Sequence, residues 1–310
     1  MDPLFSVVMA ARNSAPTLRR SLATFLEPPR EDVEIVVIDD ASTDDTQGVL
    51  SELPNSERVR TIRMQVQVGQ TQALNIGIKA ARGRFIVRQD ADDYSHPDRL
   101  DAQYRDYCGS GVLDILGTGH TVILENGGRI SIPGRNFRDI KNRISRGPVF
   151  CHGSLMMRRD SLLRLGGYDD FFRYAQDADL IIRAAHAGMA LRNVRACLYE
   201  WTDSPRSITS TRYHEQASYE ELALERIRRP NLELGPAFQT ILSRNMQFPL
   251  SRQYRNMVLY LAAGETHLAR QEFNSMKERG EPIPDSRRYS SLVRVPKTLY
   301  RLLRRLRDLG

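Results

Sequence analysis

The sequence predicts an α/β protein: a mainly parallel central sheet flanked by helices, followed by an all-helical extension. Three observations carry that expectation. Short β-branched runs alternate with stretches of helical periodicity through the first hundred residues. Polar clusters (Ala10 to Asn13, Asp39-Asp40 and Asp90 to Asp93) stand directly behind three of those runs. From about Tyr213 the apolar spacing is helical in every stretch that has a pattern.

Phe5 to Ala10 reads as the first buried strand. Ser14 is placed to cap a helix with Pro16 in its first turn, which runs through Leu18, Leu22 and Leu26 and is stopped by Pro28-Pro29. Val33 to Ile38 is the second strand. Ser42 and Asp45 have capping-box spacing ahead of a helix that ends before Pro54. A short strand is expected at Val59 to Met64, a helix at Thr71 to Ala81, and a strand at Phe85 to Arg88. Short loops between such elements imply parallel strands with right-handed crossovers, whose ligands bind at the carboxyl ends. Residues 100–215 are broken by glycine-rich turns around short apolar runs, with a helix from Asp177 to Ala187. Further helices are expected at Ser218 to Arg229, Ala237 to Met246, Arg252 to Ala263 and Thr266 to Arg279.

Composition bounds the function. The chain has 310 residues, 41% hydrophobic and 27% charged, which is ordinary for a globular protein. No apolar stretch approaches the roughly 18 residues of a membrane span. The N-terminus has no leader pattern, and the fold is expected to begin near residue 5. Cys108, Cys151 and Cys197 fit no disulfide or metal framework and are expected to be buried small hydrophobes in a reducing compartment. The net charge of +7 lies in a tail: Ser286 to Gly310 holds eight basic residues and one acid. Few aromatic residues stand among those charges, which argues against nucleic acid.

Asp90 and Asp92 are two residues apart behind a strand, and in extended chain both carboxylates would face one ligand. Such a pair suits Mg²⁺ or Mn²⁺ shared with phosphate oxygens, although an acidic turn is equally a common strand ending. Asp39 or Asp40 could accept from a base N–H or a ribose hydroxyl, or simply favour the following helix terminus.

Together these blocks resemble family 2 glycosyltransferases with the GT-A fold. The resemblance is carried by Phe5 to Asn13, by Val36-Val37-Ile38-Asp39-Asp40 with Ala41 to Thr46, and by Gly69 with Ala73 to Gly83. Asp90-Ala91-Asp92-Asp93 and Pro97 to Leu100 complete it. It is strong over residues 5–100 and looser to about 210. It implies a nucleotide-sugar half (1–100) and an acceptor half (101–215) of a domain spanning 1–215, with a helical extension over 216–310. It also implies a nucleoside diphosphate sugar held by Ala10, Arg12, Asp39, Asp40, Gly69, Asn75 and Asp90, and Mn²⁺ or Mg²⁺ on Asp92.

The second half is similar to the family's acceptor side in His152 to Arg159, Gly166 to Asp169 and Gln176-Asp177-Ala178-Asp179-Leu180 with Arg183. There the acid of the Glu-Asp or Gln-Asp pair deprotonates the acceptor hydroxyl, which makes Asp177 the base of an inverting transfer. Asp179 is the rival, or a partner of Arg183 four residues on. His152 reads either as a ligand or as a structural histidine.

The family's processive enzymes carry a Gln-x-x-Arg-Trp motif and membrane spans. Trp201 stands in no such motif, so a single addition to a carbohydrate or lipid-linked acceptor is expected. The leucines and basic residues of 287–309 fit either a helix on an anionic membrane surface, placing the enzyme peripherally on the cytoplasmic face, or a helix packed on the extension. Other classes weighed are a nucleotidyltransferase, which lacks its glycine-rich loop here, a silent nucleotide-sugar-binding module, and a phosphate receiver, which leaves the second half unexplained.

Overall fold

The structure is a computed structural model that describes residues 2–27, 30–53, 58–111, 113–144, 149–203, 211–246, 257, 260 and 266–279. The chain divides into two compact units. The first comprises Met1–Asn136 and Phe150–Asp203; the second comprises Phe137–Val149 and Ser204–Gly310. Residues 137–149, read from the sequence as part of the first domain, thus belong to the second unit.

The first unit is built on β1 (Phe5–Ala11), β2 (Val33–Asp39), β3 (Val59–Arg63), β4 (Phe85–Arg88), β5 (Tyr94–Ser95), β6 (Ile115–Ile123), β7 (Arg129–Ile132), β8 (Met156–Arg158) and β9 (Leu191–Thr202). They form one sheet in the order β3-β2-β1-β4-β8-β6-β9-β5, with β7 paired to β6. The first four strands are parallel and the sheet continues through antiparallel β8, while β6 and β9 run parallel to each other. The chain steps outward from β1 through β2 to β3, then returns to β4 on the other side of β1. That reversal opens a crevice beyond the carboxyl ends of β1 and β4, where open α/β sheets bind ligands.

The helices are α1 (Ala15–Leu26), α2 (Thr46–Ser51), α3 (Gln70–Ala80), α4 (Arg99–Ser110), α5 (Ile140–Ile144, in the second unit), α6 (Arg159–Arg164) and α7 (Gln176–His186). Alternation along β1 divides the core between the two faces of the sheet. Phe5, Val7, Met9 and Ala11 pack with Leu18, Leu22 and Phe25 of α1 and Leu100 of α4. On the other side α3 lies close: a Cβ on Gly77 would stand 2.5 Å from Val8 Cγ1.

The expected elements of the first hundred residues are present, but their capping differs. Ser14 makes no side-chain cap, because its hydroxyl donates to Arg12 O at 3.2 Å. The capping box does not form either. Ser42 is drawn to the strand ends, donating N–H to Asp39 Oδ1 and accepting from Asn13 N, and Asp44 accepts from Thr46 N at the start of α2. The cysteines are free, but Cys108 is exposed on α4 and the other two are only half-buried, so burial of all three is corrected.

In the second unit, α8 (Tyr213–Arg228) and α9 (Leu234–Asn245) pack through stacked Tyr219 and Phe238 and a hydrogen bond from Asn245 Nδ2 to Ser218 Oγ at 3.0 Å. α10 (Thr266–Glu278) follows. Of the helix expected at 252–263, Met257 and Tyr260 are described, and both are helical. The basic segment 287–309 lies outside the described residues.

Candidate active site

The strand ends carry the site, and backbone strain marks it. Non-glycine residues with positive φ are Asn13 (50°), Ala41 (54°) and Ala175 (54°) among the described residues, just past β1, just past β2 and just before α7. Such conformations cost about 1–3 kcal/mol each and persist where surrounding contacts over-determine them. Here Asn13 Oδ1 accepts from Thr43 N at 2.8 Å, lacing the first two strand ends together.

Asp39 is buried. Its Oδ1 accepts from Ser42 N at 2.9 Å, while Oδ2 has no hydrogen-bond partner among the described residues and lies 3.9 Å from Arg63 Nε. A buried carboxylate oxygen without a donor is costly, and a ligand N–H or hydroxyl would relieve it. Asp40 is engaged elsewhere. Its two oxygens accept from Val68 N at 2.7 Å and Gly69 N at 3.0 Å, fixing the loop that starts α3 with Gly69 at φ 90°. Arg12 Nη1 reaches Asp40 O at 3.3 Å, and half-buried Ala10 lies beside this pair on β1. Asn75 faces away from this cluster: its amide spans Tyr168 O, Tyr168 N and Asp170 Oδ1. The structure therefore gives Asp40 and Asn75 loop-holding contacts rather than open groups.

The Asp90-x-Asp92 pair is not in extended chain, as the sequence reading supposed. β4 ends at Arg88 and residues 91–92 form a turn, because Gln89 Nε2 folds back onto the carbonyls of Asp90 and Asp93, both at 3.1 Å. Behind the turn, fully buried Arg99 donates to Ser95 Oγ, Arg88 O and Leu155 O. β5 then pairs with β9 and brings in Tyr199, whose hydroxyl lies 2.7 Å from Asp93 Oδ2 and 3.4 Å from Asp90 Oδ2. Sequence reasoning missed Tyr199, which sits on a distant strand with no local signal. It also missed Arg88, a charged residue at the end of a buried strand, which was a readable anomaly.

Arg88 is buried and donates to Asp90 Oδ1 at 2.6 Å, leaving Nε and Nη1 without hydrogen-bond partners among the described residues. Burial would push the Asp90 carboxyl up, but the Arg88 guanidinium, His152 and the Tyr199 hydroxyl together hold it below its ordinary range. Asp92 is shifted up by the protein mass around it and then by the Asp90 charge, although its side chain stays open to solvent on one side. Asp93 rises well above the ordinary range through burial and the charges of Asp90 and Asp92. His152 Nε2 is 2.7 Å from Tyr168 Oη, and burial followed by the Arg88 charge pushes the imidazole down to about 4. This neutral, hydrogen-bonded ring has a structural environment.

At the start of α7 the two acids separate. Asp179 is buried and holds Arg183, which also donates to Leu165 O and Gly167 O. Asp177 is half-buried, enters no ion pair among the described residues, and places its charge where His152 and Tyr168 feel it. The structure thus brings Asp177, Asp90, His152 and Tyr168 to one electrostatic neighbourhood. It also adds Gln70, which donates to Asp90 Oδ1 at 3.3 Å and accepts from Gln176 at 2.9 Å.

The acidic turn fits a hard cation in part. Asp92 and Asp93, raised by the surrounding protein and by the Asp90 charge, would be relieved by a cation, and Asp92 is the one open to solvent and outside any ion pair among the described residues. No group of three or more His, Cys, Asp or Glu is assembled to hold a metal among the described residues. An ion there would draw its remaining ligands from phosphate oxygens and water, as Mg²⁺ commonly does.

Acidic groups at the ends of an open sheet, a carboxylate at the start of α7 that enters no ion pair among the described residues and a buried acceptor on Asp39 make up the candidate site. The chain belongs to glycosyl transferase family 2, whose model matches residues 6–166, and it is an enzyme of glycosyl transfer. EpsE of Bacillus subtilis is 31% identical over 207 residues, 64% of this chain and 72% of its own length. The O-antigen biosynthesis glycosyltransferase WbnJ of Escherichia coli is 29% identical over 228 residues, 70% of this chain and 87% of its own. Solved structures agree on the GT-A fold. S. aureus TarS 1–349 with UDP-GlcNAc matches at TM-score 0.59 and 17% identity, over 92% of this chain and 93% of that one. The mannosyltransferase PcManGT from Pyrobaculum calidifontis with GDP-Man and Mn²⁺ matches at TM-score 0.54 and 18% identity, over 91% of this chain and 77% of that one.

Proposed function

We propose that the protein transfers a single sugar from a nucleoside diphosphate sugar to an acceptor hydroxyl in polysaccharide or glycolipid assembly, with inversion and with Mn²⁺ or Mg²⁺ bound at Asp92. The observation that carries this reading is Asp177: a carboxylate at the start of α7 that enters no ion pair among the described residues and whose charge, like that of Asp90, acts on His152 and Tyr168. Asp39 Oδ2 receives the nucleoside's donor group, with Ala10 and Arg12 beside it and Gly69 and Asp40 shaping the loop next to it. Asp90 faces the ribose or donor sugar. Asp177 takes the proton of the acceptor hydroxyl as its oxygen bonds to the anomeric carbon, and the anomeric C–O pair leaves with the diphosphate on the opposite side. A divalent cation, when bound, offsets the charge building on that diphosphate. WbnJ and the two nucleotide-sugar complexes support the donor class and the setting, and the PcManGT complex supports the metal.

Among the described residues no helix is long and apolar enough to cross a membrane. The basic segment 287–309 would hold the enzyme on an anionic surface at the cytoplasmic face, near a lipid-linked acceptor, each cation contributing about 1 kcal/mol. Sedimentation with phosphatidylserine vesicles should then fall when Arg301, Arg304, Arg305 and Arg307 become glutamine; unchanged sedimentation refutes the anchor.

The defining experiment follows hydrolysis of UDP-, GDP- and TDP-sugars with Mn²⁺ or EDTA, for wild type and Asp92→Ala. One donor should be consumed with metal only, and not by the variant. Absence of both turnover and binding for every donor would refute the reading.

A further inference from the structure

Three side chains on α3 hold the segment that leads into α7. Asn75 grips Tyr168 through N–H and carbonyl at 3.0 and 2.8 Å, and Thr71 Oγ1 donates to Phe172 O at 2.7 Å. Gln70 accepts from Gln176 Nε2 at 2.9 Å and turns its own Nε2 onto Asp90 Oδ1 at 3.3 Å. Down α3 towards its N-terminus the partners climb the facing segment in order: 75 to 168, 71 to 172, 70 to 176. Only the last of these bridges also reaches the acidic turn.

The bridge has a direction set by chemistry. The Asp90 carboxylate, paired with Arg88, only accepts, so Gln70 must present its amide nitrogen to it. That leaves the Gln70 oxygen for residue 176, which must donate. Glutamine donates there; an ionised glutamate does not. Residue 176 is buried and follows Ala175, held at φ 54°, so the entry to α7 depends on contacts of this kind to keep its course. We propose that Gln70 is a positioning residue: its amide, oriented by Gln176, ties the Asp90 turn to the start of α7 and fixes the reach of Asp177 towards the donor. The inference rests on Asp177 being the base.

The test uses the full chain with Mn²⁺ and whichever UDP-, GDP- or TDP-sugar it hydrolyses, water serving as acceptor. In Gln176→Glu the new carboxylate takes the Gln70 N–H and leaves the Gln70 oxygen facing Asp90. Because a small misplacement of a reacting group is costly, kcat should fall roughly tenfold with donor KM within about twofold. Adding Gln70→Lys should restore most of that loss, since an ammonium donates to both carboxylates. A purely structural fault would show no such rescue. Gln70→Leu, at a half-buried position, should give the same fall and serves if Gln176→Glu does not fold. An unchanged kcat in these variants, or a loss that lysine does not restore, overturns the proposal. Asp177→Asn separates the two readings: wild-type hydrolysis in it removes the base and this inference with it. An inactive Asp177→Asn beside an unaffected Gln70→Leu removes the bridge alone.

Discussion

Asp177 and Asp179 have the same chemistry and stand two residues apart, yet their surroundings assign them opposite parts. Asp179 is buried against Arg183, and truncating one member of a buried pair leaves the other charge uncompensated, at about 3–5 kcal/mol. Asp179→Ala should therefore lower stability in urea titrations by that order. Asp177→Asn should leave the urea midpoint unchanged and reduce donor turnover by about 10²–10⁴-fold, the usual worth of a general base. The opposite pattern, an unfolded Asp177→Asn and a stable, inactive Asp179→Ala, would exchange the assignments. At this scale the sequence was legible where one residue's neighbours in the chain decide its role. Asp179 and Arg183 are a helical i, i+4 pair, and the pairing weighed for them is present. Asp40 and Asn75 were opaque for the reverse reason: their partners, Val68 and Tyr168, are 28 and 93 residues away.

Among the elements, α3 does more than cover the sheet. Its packed face meets β1 and β2 so closely that Gly77 has no room for a methyl group. A Cβ would stand 2.5 Å from Val8 Cγ1 and 3.4 Å from Ile38 Cγ1, and Val8 is buried with nowhere to move. Alanine gains about 0.5–1 kcal/mol over glycine inside a helix, but overpacking of a tight core costs about 1–3 kcal/mol. Gly77→Ala should thus be destabilising by about 1–2 kcal/mol in chemical denaturation. It should also slow donor turnover, because the same helix carries Gln70 and Thr71. An alanine variant at least as stable as wild type would show that α3 can shift freely. The strand and helix periodicities made the elements of the first hundred residues readable, since each buries one patterned face. The turn after β4 was not readable as a turn. Its shape is imposed by Gln89, Arg99 and β5, and alternation along an extended strand, the rule used to place Asp90 and Asp92, stops where the strand does.

For the whole molecule, the proposed site residues all belong to the first unit, so if the proposal holds, a nucleotide with its metal should stabilise that unit and leave the second to its own transition. A ligand that binds only the folded state adds about 2.7 kcal/mol at one hundred times its Kd. Calorimetry with UDP or GDP plus Mn²⁺ should move one unfolding transition upward by several degrees. EDTA should reverse the metal-dependent part of that shift. Asp92→Ala should behave in the presence of Mn²⁺ as wild type does in EDTA, because Asp92 is the solvent-open carboxylate of the turn and enters no ion pair among the described residues. The physical basis is charge relief. The surrounding protein and the Asp90 charge raise Asp92, and burial with the Asp90 and Asp92 charges raises Asp93 further, so these are the carboxylates that would hold a divalent cation, and its positive charge would relieve them. Metal and nucleotide should therefore bind cooperatively, each weak alone. Equal shifts with and without Mn²⁺ would mean that the turn serves the fold alone and that the transfer proceeds on hydrogen bonds and cationic side chains.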